Sequence, residues 1–97
     1  MYAAIVVNWN GCAYLPRCLD SLLAQVPAPA EVVVVDNHST DGSRELVQSR
    51  YPQVRVVDTG ENRGPCHARN VGAAAVTHER LLFVDNDVVL HPGAVAA

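Results

Sequence analysis

Lysine is absent from the 97-residue sequence, so its basic residues are seven arginines, against ten aspartates and glutamates and a formal net charge of -3. Neither sign of charge forms a run of five or six residues, and the basic stripe of a nucleic-acid-binding domain is missing. A P-loop is excluded because its glycine-lysine pair requires a lysine. We therefore expect no nucleic-acid partner and no P-loop nucleotide site.

Cysteines and long apolar segments are also scarce. The three cysteines form no CxxC pair, which argues against a disulfide framework or a zinc site and favours buried free thiols. The apolar segment Ala3–Val7 is interrupted at Asn8 and has no basic residue before it, so it is too short for a signal peptide or a membrane-spanning helix. The sequence predicts a cytoplasmic protein, or one that is peripheral at the inner face of the membrane.

Four apolar runs rich in β-branched residues hold much of the 49% hydrophobic content, which is sufficient for one domain with one core. Runs of this kind are typical of strands that are buried on both faces. They are Ala3–Val7, Val32–Val35, Val54–Val57 and Leu81–Val84.

Three helix-like segments separate the predicted strands. The first places five apolar side chains between Leu15 and Leu23 on one face, and the third is expected to start at Pro65 and continue to Val76. A further helix is expected to start at residues 91–93, close to the end of the chain. We expect the sequence to be truncated there.

The second helix is expected to take its N-cap from the polar residues 39–42, to turn Leu46 and Val47 inward, and to end at Pro52. The order is then β-α-β-α-β-α-β. This alternation predicts an α/β fold, Rossmann-like, with three α/β/α layers, a mostly parallel sheet and right-handed crossovers.

Polar residues follow three of the four apolar runs. In an open parallel sheet, ligands bind at the carboxyl ends of the strands, near the point where the strand order reverses. The segments there are Asn8–Gly11, Asp36–Gly42 and Asp85–Asp87. The carboxylates of Asp85 and Asp87 are hard ligands for a divalent cation, which would neutralise a diphosphate leaving group; the alternative is that they only cap a loop.

Four single residues near these ends are further candidates. Asp36 follows four valines and needs a hydrogen-bonding partner, either a base or ribose or, alternatively, an Asx turn or helix cap. Trp9 is predicted to stack on a base, with core packing as the alternative. Arg63 and Arg69 flank the start of the third helix, where they would favour an anion or form exposed ion pairs.

Taken together, these segments resemble the nucleotide-binding half of family 2 glycosyltransferases, in order and over nearly the whole chain. The resemblance is carried by Val6–Gly11, Cys18–Gln25, Val34–Ser43, Asn62–Pro65 with Ala68–Gly72, and Phe83–Asp87. It implies that residues 1–97 are the donor-binding part of a GT-A domain, truncated before the acceptor-binding part. The forms at Asn8–Gly11 and Asp36–Asp41 are most similar to rhamnosyltransferase-like members that act on cell-surface polysaccharides.

The resemblance implies an inverting, metal-assisted transfer from a UDP- or dTDP-sugar to a cell-surface polysaccharide or glycolipid acceptor. Asp36 would bind the nucleobase, Arg69 the base or diphosphate, and Asp85 the ribose. Asp87 would hold Mn²⁺ or Mg²⁺. The implied nucleotide-binding residues are Val7, Asn8, Trp9, Asn10, Asp36, Arg69, Asp85 and Asn86.

Two departures from the family pattern limit what the resemblance implies. Val7 and Asn8 stand where many members have threonine or serine. No position matches the family's general base, an acid in the acceptor-binding half, so this chain alone is expected to be inactive. The alternative is a truncated, non-catalytic module that binds a nucleotide or nothing, as a homo-oligomer that covers its open sheet edge. A dehydrogenase is disfavoured because only Gly11 occurs where G-x-G-x-x-G belongs.

Overall fold

The four apolar runs form one parallel sheet in the computed structural model, with the strand order β3-β2-β1-β4. The structure describes residues 1–95. All four strands extend one residue past the end of the predicted run, so that each ends on a polar residue. The strands are β1 (Ala3–Asn8), β2 (Glu31–Asp36), β3 (Arg55–Asp58) and β4 (Leu81–Asp85).

Three helices cover the two faces of the sheet, as predicted: α1 (Leu15–Leu23), α2 (Ser43–Arg50) and α3 (Pro65–Ala75). Helices α1 and α2 pack on one face, around a core that includes Leu19, Val47 and Val34. Helix α3 packs on the opposite face, where Ala68 lies against the side of β1 and β2 that carries Ile5. The three-layer α/β/α prediction is confirmed.

The start of helix α2 differs from the prediction. Its N-cap is Gly42, in the left-handed region at a φ of 86°, and no side chain caps the helix from that position. Asp41 accepts a hydrogen bond from the Ser43 backbone N–H at 3.0 Å instead. Val47 is buried as expected, whereas Leu46 is only half-buried, because adjacent residues of a helix point in different directions.

Strand order and helix placement are linked. The chain moves from β1 to β2 to β3 in one direction with both helices on one face. It then returns past β1 to β4 with α3 on the other face. Crossover connections between parallel strands are right-handed. When the next strand is added on the other side of β1, the connecting helix must therefore lie on the opposite face of the sheet.

Close packing of α3 depends on a glycine. A Cβ atom on Gly72 would lie 2.5 Å from Cγ2 of Ile5 and 2.9 Å from Cγ2 of Val35. Any side chain at this position would therefore push the helix away from β1 and β2. Gly72 sets the distance between the helix and the sheet, and with it the position of Arg69 one turn earlier.

Helix α1 anchors the segment that follows β4. The buried Gln25 side chain donates from Nε2 to the carbonyl oxygen of His91 at 2.9 Å, and the Ser21 hydroxyl accepts the Leu90 N–H at 3.0 Å. Residues 92–95 form turns. The remainder of the helix predicted there lies at residues 96–97, outside the described residues.

The prediction of buried thiols holds for one cysteine of three. Cys18 is buried in the core, Cys12 is half-buried and Cys66 is exposed at the start of α3, because the first turn of that helix extends beyond the sheet. Over residues 1–95, no helix combines the length and the apolar character needed to cross a membrane.

Candidate functional site

The polar strand ends converge at the carboxyl edge of the sheet. The register pairs Asn8 with Asp36 across β1 and β2, and Val7 with Asp85 across β1 and β4. Since β1 has its successor β2 on one side and β4 on the other, this edge contains the reversal point at which open α/β sheets bind ligands. The site predicted from the sequence is thus assembled at one place.

Asn8, Asp36 and Ser39 form a buried hydrogen-bond network at the ends of β1 and β2. Asn8 Nδ2 donates to Asp36 Oδ1 at 2.9 Å, and the Ser39 hydroxyl donates to the same oxygen at 2.6 Å. The Ser39 backbone N–H donates to Asp36 Oδ2 at 2.8 Å. Asn8 and Asp36 are both fully buried. Each partner compensates the desolvation of the others, which is what a buried carboxylate requires.

This geometry favours one of the two interpretations of Asp36. Its contact with the N–H three residues ahead is that of a side chain organising the turn that follows β2. Its carboxylate is inaccessible to a ligand in this arrangement. The role supported is therefore that of holding the β2–α2 loop. Direct contact with a nucleobase stays a prediction, and it would require Asp36 to exchange one of these partners.

The loop after β1 is fastened to the loop after β2 by three further hydrogen bonds. The Asn10 N–H donates to the Ser39 hydroxyl at 2.8 Å, and the Thr40 N–H donates to Asn10 Oδ1 at 2.8 Å. The Cys12 N–H donates to Asp41 Oδ2 at 2.9 Å. Asn10 adopts a φ of 50°, a left-handed conformation that asparagine tolerates better than most residues. The two loops therefore behave as one surface.

Arg44, which the sequence did not single out, binds this surface from helix α2. Its Nη1 pairs with Asp58 at the end of β3, its Nε lies 3.6 Å from Asp36 Oδ2, and its Nη2 donates to the Ser39 carbonyl oxygen at 3.3 Å. A hydrogen bond from the Gly60 N–H, followed by the charges of Arg44 and His38, lowers the pKa of Asp58. The only signal in the sequence was an arginine in the first turn after the polar loop.

Asn37 and Thr59 connect the β2 end to the start of α3, and the sequence also missed this link. Asn37 is nearly buried; its Nδ2 donates to the Gly64 carbonyl oxygen at 3.3 Å. The Thr59 hydroxyl lies 3.1 Å from Asn37 Oδ1 and 2.7 Å from the Glu61 carbonyl oxygen. The loop after β3 is thereby drawn toward the same edge of the sheet.

The end of β4 presents exposed carboxylates instead of buried ones. The Asp85 side chain is 69% exposed and, among residues 1–95, pairs only with Arg69, whose Nη2 lies 3.7 Å away. Asp87 is also exposed. Arg69 itself is 41% exposed, so the contact is a surface ion pair, the alternative considered for this arginine. Both groups remain accessible to an incoming ligand.

Asn86 lies between these two aspartates and points back to β1. Its Nδ2 donates to Asn8 Oδ1 at 2.9 Å. The approach is possible because residue 11 is glycine: a Cβ atom there would lie 2.0 Å from Asn86 Nδ2 and 2.4 Å from Asn8 Oδ1. The absence of a side chain at Gly11 therefore leaves the space in which Asn86 and Asn8 form their hydrogen bond.

A divalent cation is compatible with the donor atoms at the β4 end. Within residues 1–95, no three His, Cys, Asp or Glu side chains converge into a complete metal cage. The exposed carboxylates of Asp85 and Asp87 are hard oxygen ligands of the kind that Mg²⁺ and Mn²⁺ accept, with water and phosphate oxygens in the remaining positions. The site fits a cation that is shared with a phosphorylated ligand.

The thiol of Cys18 lies beneath this segment. Burial, followed by the charges of Asp87 and Asp85, raises the pKa of Cys18 to about 11. The thiol is therefore protonated at neutral pH, and its Sγ lies 3.5 Å from the carbonyl oxygen of Asp85. Cys18 supports the backbone at the β4 end and has none of the thiolate character of a reactive cysteine.

Trp9 is 56% exposed and so does not belong to the core, which removes the alternative considered for a lone tryptophan. It lies one residue after β1, on the joined loops. Val7, the remaining residue of the predicted set, is half-buried under helix α3. An exposed indole at the carboxyl edge of a parallel sheet offers a flat face for a ring to stack on.

A cavity of about 380 Å³ lies at the opposite edge of the sheet and is separate from this site. Its walls come from the beginning of β4 and the turns after it, including Leu82 and Leu90. None of the residues predicted to bind a nucleotide or a metal contributes to it. The chemistry is concentrated at the open carboxyl edge.

The strand order and this polar edge define an open parallel α/β protein, a class that binds its ligands at the carboxyl ends of the strands. The family model described as glycosyl transferase family 2 matches residues 3–97, and the chain belongs to that family. It is 38% identical over 60 residues to the N-acetylglucosaminyl-diphospho-decaprenol L-rhamnosyltransferase of Mycobacterium tuberculosis, which covers 62% of this chain and 20% of the relative.

Two solved structures share the fold. TarS of S. aureus (residues 1–349) in complex with UDP-GlcNAc superimposes with a TM-score of 0.86 and 32% identity, over 98% of this chain and 29% of TarS. The mannosyltransferase PcManGT of Pyrobaculum calidifontis, in complex with GDP-Man and Mn²⁺, gives 0.81 and 31%, over 91% of this chain and 28% of that protein. The chain thus spans less than a third of the length of these relatives. The predicted resemblance and fold are confirmed.

Proposed function

We propose that this chain is the donor-binding part of an inverting glycosyltransferase that uses a UDP- or dTDP-sugar. The observation that carries the proposal is that β1 and β4 are paired parallel strands whose carboxyl ends lie side by side. The exposed Trp9 directly follows one of these ends, and the exposed Asp85 and Asp87 lie at the other. An aromatic face and a cation-binding pair are the two features that a nucleoside diphosphate needs. Membership of the family and the UDP-GlcNAc complex of TarS support it.

The proposed division of roles follows the exposure of the side chains. The base would stack on Trp9, above the joined loops that Asn10 and Asp36 hold together. Asp85 would receive the ribose hydroxyls, and Arg69, already 3.7 Å from Asp85, would turn toward the diphosphate. Asn8 is too deeply buried to do more than support this surface.

Asp87 is the residue proposed to hold Mn²⁺ or Mg²⁺, with Asp85 nearby. When bound, the cation would neutralise the negative charge that grows on the departing nucleoside diphosphate. The Mn²⁺ complex of PcManGT supports the use of a metal in this fold. The protein's own contribution is to keep both carboxylates exposed at the end of β4.

The acceptor is proposed to be a glycan or lipid-linked glycan of the cell surface. The L-rhamnosyltransferase relative, whose name gives a lipid-linked sugar, supports this class. Inversion requires a base that deprotonates the acceptor hydroxyl as it attacks the anomeric carbon. No described residue was predicted to act as that base, and transfer by this chain alone is proposed to be absent. The predicted cytoplasmic or membrane-peripheral location stays a prediction.

Calorimetric titration of this chain with UDP and with dTDP, each with and without Mn²⁺, tests the proposal. Binding that Mn²⁺ strengthens, and that Asp87→Ala makes independent of Mn²⁺, is the expected result. GDP serves as a matched diphosphate with a larger base. If no nucleotide binds in any condition, the donor site is wrong and the chain is a non-catalytic module.

A further inference from the structure

The two halves of the candidate site are joined by one side chain. Asn8 Nδ2 donates to Asp36 Oδ1 on the β2 side, and Asn8 Oδ1 accepts from Asn86 Nδ2 on the β4 side. A carboxylate accepts hydrogen bonds and donates none, so Asp36 fixes which end of the Asn8 amide faces it. Asn8 must then present its oxygen to Asn86. The charge of Asp36 thereby determines the orientation of two amides in succession.

We propose that Asn8 and Asn86 are positioning residues, an inference that rests on the proposed function. They hold the turn of residues 85–88 in the position from which Asp87 binds the cation. The Asn86 side chain leaves this turn toward the interior and is tied to a fully buried residue. The turn is closed by the Val88 N–H, which donates to the Asp85 carbonyl oxygen at 3.1 Å. The same oxygen lies 3.5 Å from Cys18 Sγ. These contacts orient the backbone and leave the carboxylates outside.

This assignment differs from the nucleotide contact predicted for Asn8 and Asn86. The Asn8 side chain is fully buried, and the Asn86 amide nitrogen already has a partner in the protein. Groups that orient metal ligands change metal affinity about tenfold or more when they are removed. The expected signature is therefore a loss in metal-dependent binding alone.

The experiment measures UDP affinity by calorimetry, with and without Mn²⁺, and takes the ratio of the two dissociation constants as the Mn²⁺ enhancement. For Asn86→Ala, the enhancement is expected to fall about tenfold, while the metal-free affinity stays within about twofold. Gly11→Ala should also lower the enhancement, because its Cβ would push apart the Asn86 and Asn8 side chains while every polar group is retained. Tyr51→Phe, which removes a hydrogen bond to Asp20 on the helical face, is the control that leaves both values unchanged.

An unchanged enhancement in Asn86→Ala would overturn the proposal, and so would a parallel loss of metal-free and metal-dependent affinity, which would indicate a purely structural role. If wild-type protein binds neither UDP nor dTDP, with or without Mn²⁺, the proposed function fails. Hydrogen exchange of the Val88 amide in the metal-free protein then decides the inference by itself. Faster exchange in Asn86→Ala than in Tyr51→Phe supports the positioning role, and equal rates refute it.

Discussion

The ends of β2 and β4 carry carboxylates of the same chemistry in opposite surroundings. The Asp36 side chain is 1% exposed and receives hydrogen bonds from Asn8 and Ser39. The Asp85 side chain is 69% exposed and forms a surface ion pair with Arg69 at 3.7 Å. A carboxylate that accepts hydrogen bonds inside the protein stabilises the fold. A carboxylate that faces solvent can still coordinate a cation or accept a hydrogen bond from a ligand. The site therefore has two halves. In the rigid half, at the end of β2, Asp36 is buried and hydrogen-bonded, and in the receptive half, at the end of β4, Asp85 and Asp87 are exposed to a ligand.

The largest expected effect is a difference in stability between variants that lack the carboxylate at one strand end or at the other. Asp36→Ala leaves the buried Asn8 amide and Ser39 N–H without their acceptor, and we expect the free energy of unfolding to fall by about 3 kcal/mol. Asp85→Ala should change it by no more than about 0.5 kcal/mol, because the Asp85 side chain is exposed and its contact with Arg69 is a surface ion pair. Urea denaturation of the two variants checks both values. Equal losses would mean that burial does not distinguish the two ends.

The two arginines offer a second pair of matched changes. Arg44→Met removes the cation that faces both Asp36 and Asp58, and a loss of about 1–2 kcal/mol in the free energy of unfolding is expected. Arg69→Met removes a surface ion pair, which contributes about 0.5 kcal/mol or less. Urea denaturation in low salt measures both losses. A larger effect at Arg69 would contradict the division into rigid and receptive halves.

Trp9 should separate stability from binding. Because the indole is 56% exposed, Trp9→Ala is expected to change the free energy of unfolding by less than about 1 kcal/mol. Loss of base stacking should weaken UDP affinity about tenfold, which corresponds to about 1.4 kcal/mol. Trp9→Phe retains an aromatic face and should recover most of the affinity. If Ala and Phe bind equally well, Trp9 does not stack on the base.

The smallest expected effect concerns Glu31, at the opposite edge of the sheet. Hydrogen bonds from His78 and then from the Thr77 N–H lower the pKa of Glu31 from its usual 4.5. A lowered folded-state pKa contributes stability above the unfolded value, and this is lost as pH falls through the folded value. Glu31→Gln should therefore show a shallower fall in Tm below about pH 4.5 than wild type. Equal slopes would show that this contact contributes nothing.

The fold could be predicted from the sequence because the apolar runs and the proline positions agree with one another. Four runs gave four strands, and Leu15–Leu23 and Pro65–Ala75 formed helices at the expected residues. Helix α2 begins within the expected residues, but the expected capping by an N-cap side chain was wrong. The N-cap is a glycine in a left-handed conformation, and Asp41 acts from one position earlier. Side-chain capping propensity carries no information about that geometry.

The location of the site could be predicted, but the roles within it could not. The carboxyl ends of parallel strands lie at one edge of the sheet whatever side chains they carry. The positions of Asp36 and Asp85 therefore followed from the alternation of strands and helices in the sequence. Which of them is buried depends on the helices that pack above the strand ends: α2 brings Arg44 over Asp36, whereas the Asp85 side chain meets the exposed Arg69 of α3. The contacts of Asn8 with partners 28 and 78 residues away are of the same kind. Contacts between residues so far apart in the chain produce no local periodic pattern in the sequence from which they could be predicted.

The most direct test of the division is to measure stability and ligand binding on one variant, Asp87→Asn, which removes the charge and keeps the shape. The account predicts an unfolding free energy within about 0.5 kcal/mol of wild type, together with loss of the Mn²⁺ enhancement of UDP affinity. A substantial loss of stability, or an enhancement equal to that of wild type, would contradict the claim that the β4 end is the receptive half of a nucleotide-sugar site.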